Sequence, residues 1–172
     1  MFDPQGIPIP IGYYLAGFAD GEGSFNVSFR PRSDYRIPWK ISLCFNVSQR
    51  DQVILSDFKT YLECGTMRQR RDGVWYYEVN HLVAIRDHVI PFFDQFPFRS
   101  AKRQRDFGKF KELAQLLTSG GIDRAKVIEI LRIRSDMNDG GKRRYSDEKI
   151  LEAFENPQRL DAGRRVLDTV MG

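Results

Sequence analysis

The chain of 172 residues contains few of the residues that build metal clusters or disulfide frameworks, with only two cysteines and two histidines. Cys44 and Cys64 do not form a CxxC pair, which argues against a structural zinc site. We expect both to be small, partly buried thiols. No apolar run approaches the roughly 18 residues that a membrane-spanning helix requires. The N-terminus has no charged stretch followed by an apolar one, so we predict an intracellular protein with no secretory signal and no membrane partner.

The chain also lacks an internal repeat, and its length suits one domain better than two. Hydrophobic residues make up 41% and aromatic residues 13%, a composition typical of a globular protein. The net charge of +4 permits nucleic acid as a partner without demonstrating it. We therefore predict one globular domain over residues 1–172.

Alternating patterns predict two hairpins within an α+β fold. Residues 24–30 and 40–48 alternate strictly between apolar and polar side chains, and Asp72-Gly73 marks a second hairpin turn. We expect an extended arm to Pro10, and helices before, between and after the hairpins. Ser48 and Asp51 resemble a capping box for the second helix. The third helix should be stopped or kinked by Pro91, and further helices follow to about residue 157.

The outward faces of the predicted strands carry hydrogen-bonding and cationic side chains, the kinds that contact bases and phosphates in a DNA major groove. They are Ser24, Asn26, Ser28, Arg30, Lys40, Ser42, Asn46, Arg68, Arg70, Tyr76 and Glu78, and Arg32 and Tyr35 in the connecting loop extend the set. A solvated sheet face gives the same pattern. Basic clusters at residues 68–71 and 99–105 favour nucleic acid.

The segment YYLAGFADGEGSF, residues 13–25, ends an apolar helix with two carboxylates between glycines. Gly17 and Gly21 would let a second helix approach closely. Two such helices crossing would bring together two copies of Asp20 and Glu22 at negative helix ends, where cations such as Mg²⁺ or Ca²⁺ would relieve the repulsion. An ordinary capped helix with an acidic turn is the alternative.

Residues 15–23, LAGFADGEG, resemble the LAGLIDADG signature of homing endonucleases. The resemblance implies an αββαββα core over about residues 8–120, a helical C-terminal extension over about 121–157 and a tail at 158–172. One copy of the motif implies a homodimer of the single-motif, group I intron-encoded type. The motif helices would pack at the two-fold axis. We assign the dimer interface to Gly12, Ala16, Gly17 and Asp20.

The resemblance also implies roles for individual residues at the active site. Glu22 matches the family's metal-binding carboxylate, and the Gly21 carbonyl would be a second ligand. Gln49 matches a polar residue that positions the water network. Lys102 matches an active-site lysine, with Arg103 as an adjacent candidate. Some relatives carry Arg where this chain has Val53. The implied cofactor is Mg²⁺, with Mn²⁺ substituting and Ca²⁺ binding without supporting cleavage.

The predicted function is that of a homing endonuclease cutting both strands of a long pseudo-palindromic DNA target and leaving short 3' overhangs. We expect Arg30, Arg68 and Arg70 to contact bases, and residues 142–144 to contact phosphate or nothing. Two alternatives share the fold: an intron RNA-splicing maturase and a non-cleaving DNA-binding protein. The compartment would be a mitochondrion, a chloroplast or the archaeal cytoplasm, which the sequence does not distinguish.

Overall fold

The computed structural model describes residues 1–32, 38–137 and 143–155. A short 3-10 turn, Pro4–Gly6, precedes the first helix. The elements then follow as α1 (Ile9–Glu22), β1 (Gly23–Pro31), β2 (Trp39–Gln49), α2 (Val53–Leu62), β3 (Thr66–Gln69), β4 (Trp75–Val79), α3 (Leu82–Ala84), a π-helical segment (Ile85–Val89), α4 (Ile90–Gln95), α5 (Ala101–Thr118), α6 (Arg124–Ser135) and α7 (Asp147–Glu155). The predicted α+β class and the αββαββα order of the core are confirmed.

The four strands form one antiparallel sheet in the order β1-β2-β4-β3. Both predicted hairpins are present, β1 with β2 and β3 with β4. Gly73 adopts a φ of +82° in the second hairpin turn, a backbone conformation that glycine tolerates without strain. The hairpins join along β2 and β4, where Phe45 lies opposite Val79.

Helices cover one face of the sheet and enclose a core rich in phenylalanine. Phe25 of β1 lies at its centre, with its ring centroid 5.2 Å from Phe45 and 4.8 Å from Phe110 of α5. Phe93 of α4 contacts both Phe25 and Phe45 edge-on. Such ring pairs add about 0.5–1.5 kcal/mol each beyond the burial of apolar area. The core thus fixes the helices to the inner face, and none of the described helices covers the other face.

The C-terminal helices pack against the same core. Val127 and Ile130 of α6 and Ile150 of α7 are fully buried. The Trp39 indole N–H of β2 donates a hydrogen bond to the Ile150 carbonyl at 3.0 Å. The Ser146 hydroxyl oxygen accepts from the Lys149 backbone N–H and so caps the start of α7. The predicted tail, residues 158–172, lies outside the described residues.

Two local predictions are wrong. The first helix begins at Ile9 rather than after Pro10, because prolines are compatible with the first turn of a helix. Ser48 belongs to strand β2 and caps no helix, while Asp51 accepts a hydrogen bond from the Val53 backbone N–H at 2.8 Å. The capping box is therefore absent from the start of α2.

Pro91 does not stop the third helix, which continues to Gln95. The preceding turn, Ile85–Val89, is π-helical, and the Ile90 N–H donates to the Ile85 carbonyl five residues earlier. A proline has no N–H and its ring crowds the carbonyl four residues back. The π-helical turn, which is wider than an α-helical turn, lies immediately before Pro91.

Among the described residues, none of the helices combines the length and apolar character that crossing a bilayer would demand.

Candidate nucleic-acid interface and active site

The end of α1 passes directly into the first strand, and a glycine makes this junction tight. The Gly23 N–H donates to the Ala19 carbonyl. A Cβ atom at Gly23 would lie 2.6 Å from that same carbonyl oxygen, so a larger residue would require the backbone to shift. The side chain of Glu22, the last residue of the helix, is exposed at this junction. The candidate metal ligand therefore stands where the helix meets the sheet.

Asp20 holds the beginning of α5 against the end of α1. Its carboxylate accepts hydrogen bonds from the backbone N–H groups of Arg99 and Ser100, at 3.1 and 2.9 Å, and from the Ser100 hydroxyl. The Arg103 guanidinium donates to the Asp20 carbonyl at 3.2 and 3.3 Å. Burial acts to raise the pKa of Asp20, but these hydrogen bonds and the Arg103 charge together hold it below its usual value.

The predicted catalytic residues lie at the same end of the sheet. Lys102 is in the first turn of α5, the turn that Asp20 anchors, and its ammonium is 3.2 Å from the buried carboxylate of Asp106. Gln49 ends β2, where its side-chain oxygen accepts from the Arg50 backbone N–H at 2.8 Å. Because Gly23 pairs with Val47 across the hairpin, Gln49 extends toward the end of α1 that carries Glu22.

The predicted DNA-contacting residues on the strands share the outer face of the sheet. Cross-strand partners on this face are polar along its length, as in Ser24 with Asn46 and Arg30 with Lys40. In the second hairpin Tyr76 lies opposite Arg68. Thr66, which pairs with Glu78, belongs to the same face. Thr66 was not among the predicted contacts, although its spacing of two from Arg68 in the sequence indicates a shared strand face.

Two arginines flank one tyrosine on this face. The guanidinium carbons of Arg68 and Arg70 lie 5.8 and 5.2 Å from the centroid of the Tyr76 ring. Arg70 also donates to the Tyr76 hydroxyl at 2.7 Å and pairs with Asp72 at 3.3 Å. Both arginine side chains are more than half exposed. The cluster presents two planar cations at the hairpin end of the sheet.

Two further residues that were predicted to contact DNA lie in the loop between β1 and β2. Arg32 follows β1, and its backbone N–H donates to the Pro38 carbonyl at 2.8 Å, which closes the base of the connection between β1 and β2. Tyr35 lies outside the described residues. The basic loop at residues 142–144 is described only from Arg143 onward, so Lys142 is also outside them.

Three of the four residues predicted for the dimer interface make contacts within the chain, and the interface itself stays a prediction. Gly12 and Ala16 are buried in their own chain. A Cβ atom on Gly12 would lie 2.2 Å from the Phe96 ring, so this glycine makes room for the core. The Asp20 carboxylate is turned toward α5, as described above. These three positions therefore belong to intrachain contacts.

Gly17 does lie on an exposed face of α1. Cβ atoms added at Gly17 and Gly21 would meet none of the described atoms within 4 Å. The same helix exposes Tyr13 and Tyr14, by 53% and 58%. We call Tyr13, Tyr14, Gly17 and Gly21 the open face of α1. The two tyrosines were not among the predicted interface residues, although their spacing of three and four from Gly17 indicates a shared helix face.

Comparisons with known proteins agree with this architecture. The family model described as LAGLIDADG endonuclease matches residues 15–114. The homing endonuclease I-ApeII of Aeropyrum pernix is 30% identical over 147 residues, which cover 81% of this chain and 87% of that protein. The DNA endonuclease I-CreI of Chlamydomonas reinhardtii is 44% identical over a shorter stretch of 39 residues, covering 23% of this chain and 24% of that protein.

Solved structures share the fold. The homing endonuclease I-TnaI superposes with a TM-score of 0.72 at 24% identity, over 84% of this chain and 95% of that one. The meganuclease I-SmaMI bound to uncleaveable DNA gives a TM-score of 0.71 at 26% identity, over 78% of this chain and 46% of that one. The family match spans more than half of the chain and includes the motif that ends at Glu22 and Gly23. The chain therefore belongs to the LAGLIDADG endonuclease family.

Proposed function

We propose that this protein is a homodimeric, site-specific homing endonuclease that cuts both strands of a long pseudo-palindromic DNA target by metal-dependent hydrolysis, leaving short 3' overhangs. The observation that carries the proposal is the junction between α1 and β1. Glu22 is exposed at the end of the helix, and the polar outer face of the sheet begins two residues later at Ser24. A duplex lying on that face would bring its phosphates to the carboxylate.

The outer face provides the contacts that sequence-specific binding requires. Its amide, hydroxyl and guanidinium groups match the donors and acceptors of base edges in the major groove. In the part of the chain that the structure describes, the helices pack on the other face of the antiparallel sheet, so a duplex has access to this one. That the relative I-SmaMI was solved on DNA supports duplex DNA as the partner.

The donors at the end of α1 fit a hard divalent cation such as Mg²⁺. The Glu22 carboxylate and the Gly21 carbonyl are oxygen ligands, the type that Mg²⁺ and Ca²⁺ prefer. Among the described residues, no group of three or more histidine, cysteine, aspartate or glutamate side chains could hold a metal on its own. DNA phosphates and a second protomer would therefore supply further ligands. When bound, the ion would stabilise negative charge on the phosphate and activate water.

The open face of α1 supports the homodimer. It combines two exposed tyrosines with two glycines that leave the helix backbone uncovered. Small residues at such positions permit close packing of two helices. A two-fold axis along this face would place two copies of Glu22 near each other, one for each DNA strand. One carboxylate per chain and two strands to cut make the dimer the economical assembly.

Other side chains at this end serve the reaction without holding the cation. Lys102 brings a positive charge on the anchored first turn of α5 and would stabilise charge that develops on the phosphate. Gln49 would orient water through its side-chain amide. Asp20 holds α5 in place and leaves metal binding to Glu22.

Cleavage of a library of candidate intron-insertion sites, with and without Mg²⁺, tests the proposal. The wild type should cut a small subset only when Mg²⁺ is present. Glu22→Gln should bind the same duplexes and cut none, because the amide keeps the shape and loses the charge. Asp57→Asn, at a carboxylate of α2, is the matched control and should cut normally. Cutting by Glu22→Gln at the wild-type rate would contradict the assignment.

A further inference from the structure

A pocket of 390 Å³ lies beside the edge strand β1. Its walls are residues 26–30 of β1, Arg134 and Met137 at the end of α6, and residues 143–145 before α7. A water molecule occupies roughly 30 Å³ in the liquid, so the pocket has room for a phosphodiester group and several waters. None of the roles assigned above to the active site or the open face of α1 uses it.

The pocket collects four guanidinium groups, those of Arg30, Arg134, Arg143 and Arg144. The carboxylate that the structure pairs with two of them is Asp147, whose Oδ1 is 3.9 Å from Arg134 and 3.8 Å from Arg143. These separations exceed hydrogen-bonding distance, and that oxygen is buried without a hydrogen-bond partner among the described atoms. One carboxylate is thus shared by two cations, and the described residues around the pocket have a positive balance.

Arg134 is the buried floor of this pocket, with only 7% of its surface exposed. Its guanidinium donates to the Tyr145 carbonyl at 3.0 Å and lies 5.1 Å from the Phe29 ring centroid. Burial, and then the neighbouring Arg143 charge, hold the pKa of Arg134 below its ordinary value. Crowded cations in a low-dielectric site are stabilised by an anion that enters between them.

The rim is also basic, and an aromatic ring holds its cations in place. Arg144 and Lys149 lie 5.6 and 5.4 Å from the centroid of Tyr145. Arg143 donates to the Arg134 carbonyl at the end of α6 at 2.9 Å. These contacts preorganise the arginines before any ligand arrives, which reduces the entropy lost on binding.

We propose that this pocket is a phosphate-binding subsite for the backbone of the DNA duplex that lies on the sheet. The occupant follows from continuity: Asn26, Ser28 and Arg30 line the pocket and also belong to the polar outer face. A duplex on that face has a phosphate backbone that passes the edge strand, and the guanidinium fork suits phosphate oxygens. The inference rests on the proposed DNA binding and adds named phosphate contacts, those of Arg134, Arg143 and Arg144, at the edge of the outer face.

The salt dependence of duplex binding tests this subsite with a random-sequence duplex as the probe. Neutralising one phosphate contributes about 0.9 to the slope of log affinity against log salt concentration. The variant Arg143→Ala/Arg144→Ala should lower that slope by about 0.9 per pocket in the complex. Arg144→Ala alone, at an exposed residue, should lower it in the same direction. Arg132→Ala, an exposed arginine of α6 paired with Glu129, is the matched control and should leave the slope unchanged.

Three measurements separate the outcomes. Thermal unfolding shows whether the double variant is folded, and Arg144→Ala serves as the test if it is not. Unchanged slopes in a wild type that binds and cuts DNA would overturn the subsite and leave the proposed function standing. A wild type that binds no duplex would overturn both. Altered base preference with an unchanged slope would mean that the pocket contacts a base, and would also overturn the inference.

Discussion

Asp20 accepts two hydrogen bonds from Ser100, one from its backbone N–H at 2.9 Å and one from its hydroxyl, across 80 residues of sequence. Ser100 is at the same time the N-cap of α5. This contact distinguishes the structural environments of the two acids in the motif. Asp20 joins two helices within the chain, whereas Glu22, two residues later, is exposed at the sheet.

Replacing Asp20 should reduce stability in a pH-dependent way. Asp20→Asn removes the charge that accepts these bonds, so we expect a loss of about 1–3 kcal/mol at neutral pH. The pKa of Asp20 is lowered in the folded state from 3.8, so its contribution is present above that value and is lost as the pH falls through the folded pKa. Denaturant unfolding of wild type and variant between about pH 3 and 7 measures this. A difference in stability that stayed constant down to acidic pH would contradict the role of the charge.

Gly12 and Gly17 of α1 should respond in opposite ways to substitution. Gly12→Ala would place a methyl group in the Phe96 ring, so we expect it to destabilise the monomer by about 1–3 kcal/mol or more. Gly17→Leu meets open space in the monomer and should leave folding intact, but it should separate two packed α1 helices. Sedimentation and thermal unfolding together distinguish these effects. A wild type that remains monomeric both free and on DNA would rule out the proposed dimer.

The contrast between Gly12 and Gly17 illustrates what the sequence could predict. Alternating strands and the Asp-Gly turn are local signals, and they predicted the order of elements well. Which side of α1 faces the core depends on Phe96, far along the chain, and small residues lie on both sides of the helix. The same limit applies to Asp20, whose partners at residues 99–103 are distant in sequence. The resemblance to the motif already gave Glu22 the metal and Asp20 a different role, and the folded contacts add that Asp20 binds the start of α5.

Asp106 should act as a positioning residue for Lys102. It is 3% exposed and lies one helical turn beyond the lysine, with 3.2 Å between the ammonium and the carboxylate. Asp106→Asn keeps the size of the side chain and removes the charge, so we expect cleavage to slow by up to about 100-fold while duplex affinity is retained. A double-mutant cycle with Lys102→Met is the decisive measurement, because the second substitution should cost nothing further once the lysine is gone. Fully additive losses would show that Asp106 acts on the fold rather than through Lys102.

The sharpest prediction for the outer face of the sheet concerns Arg70, which lies beside Tyr76 at the hairpin end. Arginine can bond to guanine O6 and N7 together, and such a pair discriminates between bases by about 1–3 kcal/mol. Arg70→Ala should therefore relax specificity at one symmetric pair of target positions and leave the preferences elsewhere unchanged.

Arg86→Ala is the matched control, since Arg86 is exposed on the helical layer and paired with Asp87 at 2.6 Å. Binding to single-base variants of the target at two salt concentrations separates a base contact from a phosphate contact, because only the latter weakens all sequences alike and lowers the salt slope. If Arg70→Ala reduced affinity uniformly, with every base preference intact, the outer face at this hairpin would hold the backbone and the bases would be recognised elsewhere.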